Sequence, residues 1–291
     1  MKNKEWIIID TETTGLLSPI YVVEIAAQRM LGWQASGKPF RCLINQNEDI
    51  PPEASRVHGY TREILKRDGE MPIKAYAAFS EYVGNLPIVA YNLKYDWNTV
   101  LLPEWKRLGI KPIGNEGFCA LRLAQRLLDP VPAGNCKLQT LRQFYRLPER
   151  GAHTALGDVD TVADLMWHVL MPLAEEQKLN SWGEILDFSK AEYFPIRIPF
   201  GKFKGRDYRD ALEDSNLREW LEWLSSSSNK RSQNMGHWYE KQLSLLSDNG
   251  SVRGSANHTP KGTGDNSLPF ENVSVTPFQQ IEREQLQKFI D

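Results

Sequence analysis

The sequence predicts an α/β fold on a mixed sheet, followed by a small second module and a polar tail. Three observations carry that expectation. Strand-like segments lead the chain as a meander of three. Helix-like segments then interleave with one more short apolar strand up to about residue 172, the pattern of helices layered on a sheet. From Phe194 the texture changes, first to short Pro- and Gly-punctuated basic segments and then to a stretch with almost nothing to bury.

The first strand is Trp6-Ile7-Ile8-Ile9, which runs directly into Asp10. Residues 21–30, with Val22, Val23, Ile25, Ala26 and Ala27, and residues 41–44 complete the meander. Pro51 and Pro52 are expected to break the chain. Residues 61–67 and 73–83 have helical spacing, the second with Tyr76, Phe79 and Val83 on one stripe. Residues 86–91 form a short buried strand, and residues 95–108 a helix ended by Gly109. Further helices are expected over 120–128, 138–145 and 158–170, the last stopped by Met171-Pro172. Beyond them lies a Trp-rich helix over 212–224. Residues 247–267, rich in Ser, Gly, Asn and Thr, have the composition of a flexible linker. Phe278, Ile281, Leu286, Phe289 and Ile290 fall at the spacing of a short amphipathic helix. The boundaries are therefore 1–175, 194–245 and 246–291.

Composition excludes some classes. Hydrophobic residues at 41% and charged residues at 25% are ordinary for a soluble globular protein. A net charge of −2 gives no global attraction for a polyanion, so any nucleic-acid contact must be a local patch. Cys42, Cys119 and Cys136 have no paired spacing and suit burial in a reducing compartment better than a disulfide or a zinc site. No apolar run approaches the roughly 18 residues of a spanning helix, and no signal-peptide core follows the first residues. A cytoplasmic location without a membrane contact is expected.

Acidic residues at element boundaries carry the chemistry. Asp10 and Glu12 are two apart on an extended segment and aim at one point. Like charges that close are costly without a cation between them, and hard oxygen ligands suit Mg²⁺ or Mn²⁺. Asp96 sits where a strand hands over to a helix, beside that helix's apolar face. A helix-start Asp stabilised by the dipole would have the same sequence. Asp158 follows His153 and precedes Val159, Val162, Met166 and Val169. Taken alone, that pair could be a cap and a loop histidine.

Together the segments resemble the DnaQ-like 3′–5′ exonucleases, specifically the DEDDh branch of the ribonuclease-H-like superfamily. Asp10-Thr11-Glu12-Thr13-Thr14-Gly15-Leu16 matches the first motif, Asn92-Leu93-Lys94-Tyr95-Asp96 the second, and His153-Thr154-Ala155-Leu156-Gly157-Asp158 the third. Val57-His58-Gly59-Tyr60-Thr61 resembles a His-Gly-Ile-Thr segment near the family's active site. The likeness covers roughly residues 4–172 and implies a three-layer domain with a mixed five-stranded sheet. Many relatives carry His where this chain has Tyr91, which implies altered substrate contacts.

The resemblance also implies a mechanism. Two Mg²⁺ ions about 4 Å apart, replaceable by Mn²⁺, would clamp an in-line displacement at phosphorus. Asp10 would bridge them, Glu12 and Asp158 would complete the ion that holds the water, and Asp96 would serve the second ion through a water. His153 would be the general base, since imidazole titrates near neutrality. Thr13, Gly15, Leu16, His58, Tyr60, Asn92 and Tyr95 are the candidate substrate contacts. Leu16 would pack on the terminal base and Tyr60 and Tyr95 flank it, unless Leu16 and Tyr95 are core residues.

In the second module, residues 197–209 carry Arg197, Lys202, Lys204, Arg206 and Arg209 against Asp207. The segment is similar to the small C-terminal module of some exodeoxyribonuclease X-like proteins. Lys202, Lys204 and Arg206 are candidates for phosphate-backbone contact. Phe200 and Phe203 are free to pack inward on a helix bearing Trp220 and Trp223. The expected activity is 3′–5′ exonucleolytic cleavage of single-stranded or frayed DNA, in DNA repair, releasing nucleoside 5′-monophosphates. The alternatives are an exoribonuclease of the same fold, a polymerase proofreading subunit, or an inactive nucleic-acid-binding module. Self-association and a protein partner for the terminal helix stay open.

Overall fold

A computed structural model of the chain describes Met1 and residues 3–250. Its centre is one mixed sheet. Strands β1 (Glu5–Thr13), β2 (Val22–Leu31), β3 (Gln34–Ala35) and β4 (Phe40–Leu43) are joined by β5 (Pro87–Ala90) and β6 (Asn115–Cys119). The order is β3-β2-β1-β5-β6, with β4 also on β2. β1 runs antiparallel to β2 and parallel to β5, which is itself parallel to β6. The α/β class is as expected, with the two-residue β3 as an addition at one edge.

β6 was not anticipated, and its sequence explains why. Asn-Glu-Gly-Phe-Cys has one large apolar residue and a central glycine, a poor strand signal. The glycine is needed because a Cβ at Gly117 would lie 2.6 Å from the Ile88 carbonyl oxygen.

Alternation along β1 sorts the core into two layers. The odd residues Ile7 and Ile9 pack against Ala75, Tyr76 and Phe79 of α3 (Pro72–Val83) and Trp105 of α4 (Leu102–Leu108, with α1 at Pro52–His58 and α2 at Arg62–Asp68 before them). The even residues Trp6 and Ile8 pack against Leu123 of α5 (Ala120–Leu127), Leu141 of α6 (Leu138–Phe144), and Val159 and Val162 of α7 (Ala155–Leu165). The sheet is thus sandwiched between helices, and each residue's parity in β1 decides which layer it meets.

Prolines shape the helices differently from expectation. Pro52 begins α1 instead of breaking the chain, because the first helical turn has no use for its missing N–H. Gly59, at φ 78°, ends α1 in the left-handed conformation. The last helix of the domain does not stop at Pro172. A π-helical turn, Met166–Leu170, leads into α8 (Met171–Glu176), with Pro172 in its first turn. The π-helical Lys94–Leu101 leads in the same way into α4 and Pro103. In both, an N–H bonds the carbonyl five residues back, Leu102 to Trp97 and Met171 to Met166. The widened turn moves aside the carbonyl that a proline ring would strike in a regular helix.

After α9 (Trp182–Lys190), closed by a Ser181/Glu184 capping box, residues 194–245 form a separate hydrophobic cluster. The expected helix over 212–224 is split: Tyr208–Leu212 is a 3₁₀ turn, and α10 (Ser215–Ser225) starts only after Asp214 accepts from the Leu217 N–H. α11 (Lys230–Gly250) carries Met235, Tyr239 and Leu243 into that cluster and runs through the start of the segment expected to be linker. Met1–Leu245 form one compact unit. The remainder of the expected linker and the helix of Phe278, Ile281, Leu286, Phe289 and Ile290 lie outside the described residues. Among the described residues no helix is long and apolar enough to cross a membrane.

Candidate active site

Asp10 and Glu12 extend the even row of β1 beyond Trp6 and Ile8, so they face the layer that contains α7. There Asp158 sits in the first turn of α7, capped by Thr154, whose hydroxyl accepts from the Gly157 N–H at 3.1 Å. Carboxylate oxygens of Asp10, Glu12 and Asp158 lie within 4.8 Å of one another. Asp10 and Glu12 thus aim at one point, as their spacing predicts, and Asp158 joins them from α7.

Asp96 comes from the opposite layer. It is buried in the π-helical turn, and its Oδ1 accepts from the Thr11 hydroxyl at 2.8 Å. Thr11 belongs to the odd row of β1, which explains why Asp96 is not part of the close trio. It nonetheless stands near Asp10 and, after burial itself, is the strongest influence raising that carboxyl.

The site is a cluster of buried and half-buried acids. Burial, then repulsion from Asp96 and Glu12, holds Asp10 well above the usual carboxylate range. Glu12 is pushed up to about 8, first by burial and then by Asp158 and Glu24. Burial raises Asp96 to about 7 against its hydrogen bonds from Thr11. Asp158 is raised by burial and partly relieved by His153 and Gln139. Hard oxygen donors converging in this way, with no lysine or arginine paired to them among the described residues, are the donor set of a hard divalent cation. The residues present fit such an ion.

His153 is exposed, in the left-handed region at φ 64°, on the turn that precedes α7. Gly157 lets that turn fold tightly on the helix, because a Cβ there would lie 2.1 Å from the Gly151 carbonyl oxygen. The third motif thus needs its glycine to bring His153 and Asp158 together.

The candidate substrate contacts divide into exposed and buried sets. The β1–β2 register slips between Glu12 and Thr13, where Val23 of β2 is skipped, and β1 ends at Thr13. Thr13 Oγ1 lies 3.1 Å from both the Gly15 carbonyl and the Tyr95 hydroxyl, so Tyr95 braces this turn through its OH. Gly15 adopts φ 143°, open to glycine and strained for other residues. Leu16 projects 42% exposed beyond it, so it is not core. Asn92 is exposed as well.

Tyr60 is placed otherwise than expected. It is 7% exposed and donates to Glu24 Oε2 at 2.8 Å, which leaves no free ring face for a base. His58 stacks on it with ring centroids 5.2 Å apart and is buried too. Its Nδ1 accepts from the Tyr60 N–H, and its Nε2 has no hydrogen-bond partner. Tyr91 also turns inward and donates to the Cys136 carbonyl, so its side chain does not supply the altered substrate contact expected of it.

Three supporting residues were missed. Thr11 holds Asp96. Gln139 donates to Asp158 Oδ1 at 2.8 Å, with its own amide oriented by Arg142 at 2.7 Å. Glu24, wholly buried in β2, accepts from Arg41, Tyr60 and the Ala155 N–H. A visible signal existed only for Glu24, an acid inside the apolar run Val22-Val23-Glu24-Ile25-Ala26.

In the second module, Phe200 and Phe203 pack edge-on to Trp220, at 6.2 and 5.5 Å between centroids, while Trp223 is 62% exposed and takes no part. Arg206 is engaged with Asp214 at 2.6 Å and Asp210 at 3.1 Å, and Arg209 pairs with Asp207. Lys202 and Lys204 are exposed, with the Lys202 ammonium 4.7 Å from the Phe203 ring centre.

Residues 7–166 match the family model RNase_T, described as exonuclease. DNA polymerase III subunit epsilon of Rickettsia typhi is 34% identical over 173 residues, which are 57% of this chain and 73% of that protein. An epsilon-like protein of Rhodobacter capsulatus is 27% identical over 184 residues, 62% of this chain. The chain spans only 26% of that protein's length, and 30% of a Mycobacterium tuberculosis relative. Among solved structures, Escherichia coli exonuclease I with a dT13 oligonucleotide shares the fold at TM-score 0.54 and 18% identity, over 61% of this chain and 42% of that one.

Proposed function

The chain belongs to the exonuclease family matched by residues 7–166, and from that premise we propose that it is a 3′–5′ exodeoxyribonuclease. It hydrolyses phosphodiester bonds at single-stranded or frayed 3′ ends and releases nucleoside 5′-monophosphates. The observation that carries this reading is the convergence of Asp10, Glu12 and Asp158 within 4.8 Å, beside an outward turn bearing Leu16. The epsilon subunit of a DNA polymerase, as a relative of similar extent, supports DNA as the polymer.

Asp10, Glu12 and Asp158 would hold the divalent cation, with Mg²⁺ the proposed ion, Mn²⁺ a substitute, and Asp96 completing the acidic set. When bound, a pair of such ions supplies an activated water and relieves charge on the departing 3′-oxygen. The protein's own groups do the rest. The Thr13–Gly15 backbone, fixed by Tyr95, seats the 3′ end, and Leu16 packs on the terminal base. A ring nitrogen of His153 takes the proton from the attacking water. Gln139 and Thr11 keep Asp158 and Asp96 from rotating away.

Digestion of end-labelled single- and double-stranded DNA and RNA, with Mg²⁺ or with EDTA, tests the reading. Mg²⁺-dependent shortening of DNA from the 3′ end is expected. Cleavage that survives EDTA would refute the metal chemistry, and preferential digestion of RNA would make the protein an exoribonuclease.

A further inference from the structure

Glu24 is a buried carboxylate that no catalytic role requires. It is the third residue of β2, is wholly inaccessible, and is directly paired with Glu12 across the antiparallel ladder. Like charges opposite each other on one sheet face oppose folding. Glu24 is nevertheless fully satisfied: Oε1 accepts from Arg41 Nε at 2.6 Å, and Oε2 accepts from the Tyr60 hydroxyl and from the Ala155 N–H, each at 2.8 Å. The last contact spans 131 residues and lands at the first residue of α7. Helix starts leave N–H groups without intrahelical partners. Here Thr154 serves one of them, at Gly157, while Glu24 serves another from the neighbouring sheet.

Asp158 lies three residues after Ala155 and His153 two residues before it. We propose that Glu24 is a positioning residue, which pins the start of α7 to the sheet and so presents Asp158 and His153 to the carboxylates of β1. Arg41 neutralises Glu24 through Oε1, and the Tyr60 hydroxyl on Oε2 helps to orient that oxygen toward the helix. Tyr60 is therefore a strut of this device. The rate part of the inference rests on the exonuclease reading, whereas the structural part does not.

The test compares Glu24→Ala, Glu24→Gln and Tyr60→Phe in the full chain. Hydrogen exchange of residues 153–158 is followed in metal-free protein, Mn²⁺ binding by calorimetry, and kcat and KM on a single-stranded oligonucleotide. In Glu24→Ala the α7 start should exchange at least about tenfold faster while β1 stays protected. Mn²⁺ affinity and kcat should each fall about 10- to 100-fold, as is usual when the support of a metal ligand is lost, with KM nearly constant. Glu24→Gln retains an oxygen for the Ala155 N–H and should recover most of each loss. Tyr60→Phe should fall between wild type and Glu24→Ala. Unchanged exchange at residues 153–158 in Glu24→Ala would overturn the proposal. So would a Gln variant no better than Ala, since only the ion pair with Arg41 would then matter. If Glu24→Ala does not fold, the Gln and Phe variants decide by the same exchange measurement. If the protein proves not to be a nuclease, exchange and Mn²⁺ binding still give the answer.

Discussion

At the scale of single residues, the acids of the site are held back from ionising, and this makes the metal-free protein sensitive to pH. Glu12 is raised from 4.5 to about 8 and Asp96 from 3.8 to about 7, chiefly by burial. Across that interval the folded protein keeps protons that the unfolded chain has released. Stability therefore falls as pH rises. The melting temperature of EDTA-treated protein should drop between pH 5 and pH 8, and Mg²⁺ should raise it more at pH 8 than at pH 5. A metal-free melting temperature that climbs over that range would show that the carboxylates are not mutually destabilising. His153 belongs to the same scale but to a different function. It stands exposed outside the close trio, so His153→Ala should lower kcat about 10²- to 10⁴-fold, the usual worth of a positioned proton acceptor. Mn²⁺ affinity, measured by calorimetry, should stay within about twofold. Parallel loss of rate and affinity would make His153 a contributor to the metal site and not a base.

At the scale of elements, the start of α7 concentrates the candidate site. Thr154 caps it, Gly157 admits the preceding turn, and Asp158 faces the sheet. A methyl group at Gly157 would stand 2.1 Å from the Gly151 carbonyl and 2.5 Å from that of Arg150, both backbone atoms that cannot swing away. Gly157→Ala should therefore cost about 1–3 kcal/mol of stability, the scale of an overpacked site, and lower kcat by displacing His153. Denaturant unfolding and steady-state rates check this, and wild-type values for both would show that the turn is looser than its geometry. These elements also mark what was legible in the sequence. Asp10, Glu12 and the apolar run before them obey local alternation, so their common target follows from spacing alone. The location of Asp96 in the other layer follows from Thr11's parity, which becomes informative only once the helices on each face are known. β6 has almost no apolar pattern, and its strand state is imposed by β5. Glu24 stood in plain view as an acid within an apolar strand, but its partner Ala155 lies 131 residues away. Gln139 gave no signal, because a glutamine in a helix is usually a solvated one.

At the scale of the whole molecule, the charge balance limits how the protein can hold a polyanion. With a net charge of −2, long-range attraction is weak and affinity has to come from local cations. The segment 197–209 looks strongly basic when its own residues are counted, yet α10's cap Asp214 and Asp210 of the 3₁₀ turn neutralise Arg206, and Asp207 neutralises Arg209. Folding thus converts part of a basic patch into the ion pairs that hold the module together. Lys202, beside the Phe203 ring, and Lys204 remain exposed and are the cations we propose for the backbone contact. Replacing both with Ala should weaken binding to single-stranded DNA and reduce the slope of log affinity against log salt by about one unit or slightly more, as for two lost phosphate contacts. Cleavage of a short 3′-terminal substrate that cannot reach the module should be unaffected. Arg206→Ala should behave differently, lowering the stability of residues 194–245 with little change in the salt slope, because its charge is already engaged. Fluorescence anisotropy across a salt series separates the two. An unchanged slope in the double lysine variant would assign the module to packing alone, and a slope lost with Arg206 would mean that DNA displaces the aspartates.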